Sequence, residues 1–447
     1  TLTGSLSQAC TVTFAPNTIS NVWIVQNSAG DTVTISQGTG ANVVIPNGGI
    51  RMIATDGGGS GAAVTDVLDV LGGTGNVGLG SGAFGTGLTT GTDNVAIGEN
   101  AGDALTSGAD NTFVGDEAGG ANSTGSNNTA VGSGALDANT TAGDNTAVGY
   151  LALGANTTGT RNTAVGYASL DANSTANNNT AIGYDSLTAN TTGTENTAVG
   201  TSALAANTTA NANTAVGEAA LTANTTGGSN TAVGEGALTA NTTASNNVAV
   251  GTSALVANTT GTSNVAVGYQ AGLAVTTGTE HTLIGYQAGK SLTEGHSSTL
   301  MGYQSGFSLT TGGDNTFIGE EAGFFVTTGN DNTYVGANSG ANSNTSTGSR
   351  NTGLGAASID AITTGTDNTA LGNDALTALT TGNYNVACGT ALAATTTGGQ
   401  NVAVGFAALG SNTTASGNTA VGDYALNANT TGARNVAVGK NALDANT

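Results

Sequence analysis

The stretch Asn128-Thr-Ala-Val-Gly-Ser-Gly-Ala-Leu-Asp-Ala-Asn-Thr-Thr-Ala-Gly-Asp144 is followed at once by Asn145-Thr-Ala-Val-Gly149, and there the chain begins to repeat itself. Outward from this copy, Asn94, Asn111, Asn128, Asn145, Asn162, Asn179 and onward to Asn264 recur every 17 residues. The register runs on through His281 and Ser298, resumes at Asn315, and reaches Asn435 with one small insertion before Asn351 and one deletion before Asn401. With Asn76 as a first, looser copy, residues 76–447 hold about 22 rungs. A unit this short cannot form a helix pair; it fits two short strands separated by tight turns, stacked as a parallel β-solenoid. At a strand spacing near 4.8 Å, such a stack is expected to extend on the order of 100 Å.

Each copy is numbered here from its Asn as position 1. Position 5 is glycine throughout, as at Gly115, Gly132, Gly149 and Gly166, which implies a backbone conformation or close approach that a Cβ would obstruct. Position 4 is always apolar, and position 2, Thr or Val, shares its face at a period of two. This face is expected inside the coil, with Cys388 as a small core residue. Position 3 points the other way; it is usually Ala, becomes Phe113, Leu283, Leu300, Phe317 and Tyr334, and is never charged. A strand apolar on both faces is buried on both. Position 3 is therefore expected to meet another copy of the chain, and those five residues are the expected subunit interface of a homo-oligomer, most simply a three-fold fibre. Where position 9 is Leu, position 3 is Ala. Where position 9 is Gly, as at Gly119, Gly289 and Gly323, bulk often returns at position 3 or nearby, as close packing requires. The position 1 residues Asn111, Asn128, Asn145 and Asn162 are expected to stack into a structural amide ladder.

Composition removes several classes of function. The 447 residues include 73 glycines and only 8% charged residues, with 28 acidic against 6 basic side chains and a net charge of −22. A phosphate-neutralising surface cannot be assembled from so few cations, so no nucleic acid partner is expected. No window approaches the 18 or more continuous apolar residues of a membrane helix, and no membrane insertion is expected. Cys10 and Cys388 are too few to form a disulfide framework.

Residues 1–56 have a different texture. Short β-like runs at 11–14, 22–25, 32–35, 43–46 and 50–54, with turns at Asn27–Asp31 and Gly38–Gly40, read as a small β module that caps or couples the repeat. The Gly-rich stretch 57–75 reads as a linker. The fold expected is all-β: a module, a linker and a solenoid shaft.

Two segments resemble known families. The module sequence W-I-V-Q-N-S-A-G-D-T-V-T-I-S-Q-G-T-G-A-N-V-V-I-P-N-G-G at 23–49, followed by I-A-T-D-G-G at 53–58, resembles the small β domain of tailed-bacteriophage structural and tail-fibre proteins. The repeat N-T-A-V-G-Y-x-A-L-x-A-N-T-T-G, with G-Y-Q-A-G at 268–272 and 285–289, is similar to repeats of bacterial and phage tail-fibre-domain proteins and, more distantly, to trimeric autotransporter adhesin heads. The resemblance implies a left-handed trimeric virion fibre, on a tail or capsid. It would be docked to other virion proteins by its first module and would project toward the host surface. A bacterial surface adhesin is the alternative. An ice-binding solenoid is a further one, against which the paired threonines at positions 13 and 14, such as Thr157 and Thr158, would point to opposite sides of an extended strand.

No catalytic apparatus is expected. Gly80-Ser-Gly-Ala-Phe-Gly85 matches G-x-G-x-x-G but lies inside the repeat register, without the strand-loop-helix setting of a dinucleotide site. Of two histidines, His281 fills an Asn-ladder position and His296 lies in a loop, so no metal cluster or Ser/His/Asp relay has its parts. No cofactor or metal is expected. The Asn-Thr-Thr sequon is read as a turn. The acids that precede the Asn, such as Asp93, Asp110 and Asp144, are read as a solvated surface. Tyr150, Tyr167 and Tyr184, and again Tyr269, Tyr286 and Tyr303, recur at position 6. They form a candidate glycan-contact ladder, set against the plainer reading that they staple neighbouring rungs together.

Overall fold

A computed structural model describes residues 2–3, 8–16, 18, 20–45, 47, 50–59, 62–70, 75–85, 87–341 and 345–446. The described residues form no helix longer than a turn; the architecture is all-β, a small N-terminal β region followed by a parallel β-solenoid of about 22 rungs. The chain divides into two compact units, Thr1–Ala210 and Asn211–Thr447.

In the first unit, strands β1 (Leu2–Thr3), β3 (Ser20–Ser28), β6 (Ile50–Asp56) and β7 (Val64–Val70) lie side by side. A smaller sheet holds β2 (Cys10–Thr13), β4 (Val33–Ser36) and β5 (Val43–Ile45). Alternating residues of these strands, Val25, Val33, Ile35, Ile45 and Ile53 among them, form the core between them. Each of the five expected runs contains a strand, although Phe14 and Thr32 lie just outside β2 and β4. The expected linker is different, because Val64–Val70 is an antiparallel partner of β6 and then of β8 (Val77–Leu79). The sheet of the module thus passes directly into the first rung. Residues 60, 61 and 71–74 of that stretch lie outside the described residues.

From β8 onward each rung contributes one strand of three residues, β9 (Val95–Ile97) to β15 (Thr197–Val199) in the first unit and β16 (Thr214–Val216) to β29 (Val436–Val438) in the second. Within each unit the strands are parallel and in register, Thr on Thr, Ala on Ala and Val on Val, as at Thr129↔Thr146, Ala130↔Ala147 and Val131↔Val148. The second strand expected per rung is replaced by turns. Residues at positions 7, 9 and 17 take positive φ, for example Leu151 (52°), Leu136 (54°) and Asp144 (61°), and position 5 is more extreme, with Gly132 at 137°.

The inside and outside of the coil are exchanged relative to the sequence reading. Position 3 is fully buried within its own chain at Ala130, Phe113, Leu283, Leu300, Phe317 and Tyr334, together with the Ala and Leu of positions 8 and 9. Positions 2 and 4 face outward and are partly exposed, including Cys388, which is not a core residue. The five residues expected at a subunit interface are therefore core residues of a single chain. The physical reason is the narrow bore: one short strand faces Ala and Leu across the coil, and the space between admits a methyl group, or a ring only where position 9 gives way. A Cβ on Gly119 would lie 2.5 Å from Phe113 Cε1, one on Gly323 2.5 Å from Phe317 Cδ2, and one on Gly340 2.5 Å from Tyr334 Cε2. The exchange of volume between positions 3 and 9 seen in the sequence is a direct contact.

Candidate functional site

The side chains that recur most are engaged with their own neighbours along the stack. At position 5, a Cβ on Gly115, Gly132, Gly149 or Gly166 would sit 2.3–2.5 Å from the carbonyl oxygen of the next rung's glycine, so stacking at strand distance requires glycine there. At position 1, each Asn carboxamide oxygen accepts the backbone N–H of the next Asn: Asn128 N–H to Asn111 Oδ1 at 2.9 Å, Asn145 to Asn128 at 3.1 Å, Asn162 to Asn145 at 3.0 Å. The amide nitrogen of the same side chain donates to a carbonyl 14 residues on, Asn128 Nδ2 to Ala142 O at 2.9 Å. The ladder expected at position 1 is present, built from side chain to backbone more than from amide to amide.

A second ladder, which the sequence reading passed over as a turn, lies at position 12. Asn139 Nδ2 donates to Asn122 Oδ1, Asn156 to Asn139 and Asn173 to Asn156 at 2.6, 3.0 and 2.9 Å, all fully buried. Each also donates to the position 15 carbonyl that already holds the position 1 amide, as Ala142 O holds Asn128 and Asn139. One carbonyl thereby uses both lone pairs, and the two Asn rows are clamped through it. These sequon asparagines are consumed by the core and unavailable to modification in the folded chain. At position 13, hydroxyls form a third row, Thr140 Oγ1 to Thr157 O at 3.2 Å and Thr157 Oγ1 to Ser174 O at 3.0 Å. The sequence signal for position 12 was its exchange with apolar residues, since Leu105, Val275, Leu292, Leu309, Ile362 and Leu379 fill it in other rungs, all of them fully buried.

His281 is the one ionisable substitution in these rows. Its backbone N–H donates to Asn264 Oδ1 (3.0 Å), Nε2 lies 2.7 Å from Gly295 O, and Nδ1 accepts the Ser298 N–H at 3.3 Å. The ring reproduces both bonds of an Asn, and the Nε2–H tautomer is the one that satisfies them. Burial is the main cause that lowers its pKa from 6.5 to about 4, with nearby His296 acting in the same direction and the Gly295 bond and Glu280 opposing. His296 lies instead in the outer turn, 3.6 Å from Asp314. Among the described residues, no group of three or more His, Cys, Asp or Glu is placed to hold a metal ion.

The tyrosines of position 6 stand outside the coil, 43–53% exposed. Tyr150 and Tyr167 stack at 5.3 Å, Tyr167 and Tyr184 at 5.1 Å, and Tyr269, Tyr286 and Tyr303 at 5.3 Å each, with interplanar angles of 8–22°. Beside the second stack, Gln287 Nε2 donates to Gln270 Oε1 and Gln304 Nε2 to Gln287 Oε1 at 2.8 and 2.9 Å. Because the rings lie face to face, the inner faces are spent on one another. Only edges, hydroxyls and the outermost faces remain for any ligand, an arrangement that fits stapling better than a row of sugar platforms.

The module carries a different kind of surface. Val22, Trp23 and Ile24 at the start of β3 are exposed, and Trp23 joins Thr13, Phe14, Ala15, Pro16 and Gln37 around a cleft of about 340 Å³. Phe14 and Trp23 meet at 5.1 Å. Gly80, Gly82 and Gly85 of the G-x-G-x-x-G match sit in the first turn of the solenoid at φ 130°, 75° and 47°, and among the described residues no helix follows them. Comparison with protein-family models and with curated proteins finds no match for this chain.

Proposed function

We propose that the chain is a structural fibre of a virus particle, three copies forming the shaft of a tail or capsid fibre that projects toward the host surface and helps attach to it. The observation that carries this reading is the spending of recurrent polar groups on cohesion: two Asn rows, a hydroxyl row and stacked tyrosines all join one rung to the next. A scaffold whose specific chemistry is turned inward transmits position and force, and many weak contacts made by identical copies supply avidity. The resemblance of residues 23–58 to phage β modules supports docking through the first module. The exposed Val22, Trp23 and Ile24 give that module an apolar surface suited to contact with other virion proteins. No catalytic step is assigned, and the position at the virion surface belongs to the same proposal.

The test separates the fibre from the bacterial adhesin. Antibodies raised against residues 20–56 should label particles in the virus-enriched fraction of the source culture. Labelling confined to the bacterial envelope would overturn the fibre in favour of the adhesin.

A further inference from the structure

Position 4 lies outside the coil yet is never polar. Through Val131, Val148, Val165, Ile182 and Val199 in the first unit, and Val216, Val233, Val250, Val267, Ile284, Met301 and onward to Val438 in the second, it is Val, Ile, Leu, Met or Cys in every rung. Strand propensity alone does not account for this. Thr is as good an outward strand residue as Val, and position 2, on the same outward face, is Thr in most rungs; position 4 is Thr in none. A position open to water in the isolated chain, with Ile182 at 40% and Val233 at 36% exposure, has been kept apolar as if covered.

We infer that this outward strand face, positions 2 and 4, is where copies of the chain meet; the inference rests on the fibre reading and replaces position 3 as the interface. Three observations select a second copy as the occupant. The first is pitch: the rows repeat once per rung in register, and another in-register solenoid presents matching rows. The second is charge. A chain of net charge −22 repels its copies, and the acids stand at positions such as 6, 7, 10 and 17 (Glu235, Asp185, Asp171, Asp144), never at 2 or 4. The third is extent. In the second unit Val216, Val233, Met301, Ile318, Leu354 and Leu371 are each 36–39% exposed, so the apolar row recurs rung after rung as an extended interface does.

The test uses the whole chain. Sedimentation of the native protein should give the mass of three chains. The pair Val233→Lys with Val250→Lys should reduce it to that of one, while Thr243→Lys with Thr260→Lys on the outer turn should leave it unchanged. A measurement that needs no variant on the face accompanies it: Cys388, at position 4, should resist maleimide in the assembled protein and react once dilution separates the copies, with Cys10→Ser as background. A multi-chain mass indifferent to the face substitutions, with Cys388 freely reactive, overturns this interface and leaves self-association standing. A single chain at all concentrations overturns both, and freezing-point depression by that single chain would assign the face to ordered water instead.

Discussion

Acid should loosen the solenoid at one rung before the rest, and His281 sets where. In the folded chain the ring is fully buried and must stay neutral, because Nδ1 accepts the Ser298 N–H and a proton there would turn an acceptor into a donor facing a donor. Its pKa is lowered from 6.5 to about 4. The unfolded chain therefore binds a proton that the folded chain refuses between those values, and stability rises with pH across that window. The contribution is complete above about pH 6.5, declines as pH falls, and by pH 4 has cost about 3 kcal/mol at 1.36 kcal/mol per pKa unit. Solenoids lose rungs locally rather than all at once, so the suitable assay is amide hydrogen exchange resolved by segment. Between pH 7 and pH 4, after correction for intrinsic exchange, protection around residues 264–315 should fall by about two powers of ten relative to residues 128–179, which use Asn throughout. His281→Asn restores both bonds without a titrating group and should abolish the difference. Equal acid response of the two segments in the native protein, or an unchanged response in His281→Asn, would refute the reasoning.

Three further outcomes follow from the packing and are read by urea unfolding. Gly149→Ala puts a Cβ 2.3 Å from the Gly166 carbonyl and should prevent rungs from stacking there, whereas Gly236→Ala, with φ 65° and nothing nearer than 3.5 Å, should cost only about 1–2 kcal/mol of left-handed strain. Phe113→Ala should cost about 3–5 kcal/mol through its cavity, and Gly119→Leu alone should be worse because it collides with the Phe113 ring. The double substitution restores the Ala and Leu pairing of the common rung, so each change should rescue the other by several kcal/mol. Asn156→Ala removes the acceptor of Asn173 Nδ2 and one donor to Gly159 O, and should cost about 2–5 kcal/mol; a loss below about 1 kcal/mol would mean that the buried row is not what holds the rungs.

The repeat made the solenoid legible, because a 17-residue register sustained over some 22 rungs leaves no room for another architecture, and it made Gly132 and its equivalents legible as sites of close approach. It did not reveal which side of the strand faces in. Positions 2 and 4 carry larger apolar groups than position 3, and a rule that sends larger apolar groups inward picks the wrong face when the bore is this narrow. The deciding signal was in the sequence all the same. Bulk at position 3 returns where position 9 is Gly, and two positions that trade volume must touch; Phe113 and Gly119 therefore had to share one interior, which turns Val114 outward. The left-handed Leu136 and Leu153 were concealed for a related reason. Leu rarely adopts φ near 54°, but the same position accepts Gly119 at 61° and Gly272 at 61°, so the alternation of Leu with Gly carried the backbone as well as the volume. The Asn row at position 12 was hidden by its own context, since Asn-Thr-Thr-Gly has the chemistry of a surface turn, although Leu105, Val275, Leu292 and Ile362 at the same position of other rungs mark it as an inward site. Turning the strand over also moves the question of function. The uncharged rows that needed no explanation inside the coil are on its surface, and the refusal of any polar residue at position 4 is what the proposed contact between copies would explain.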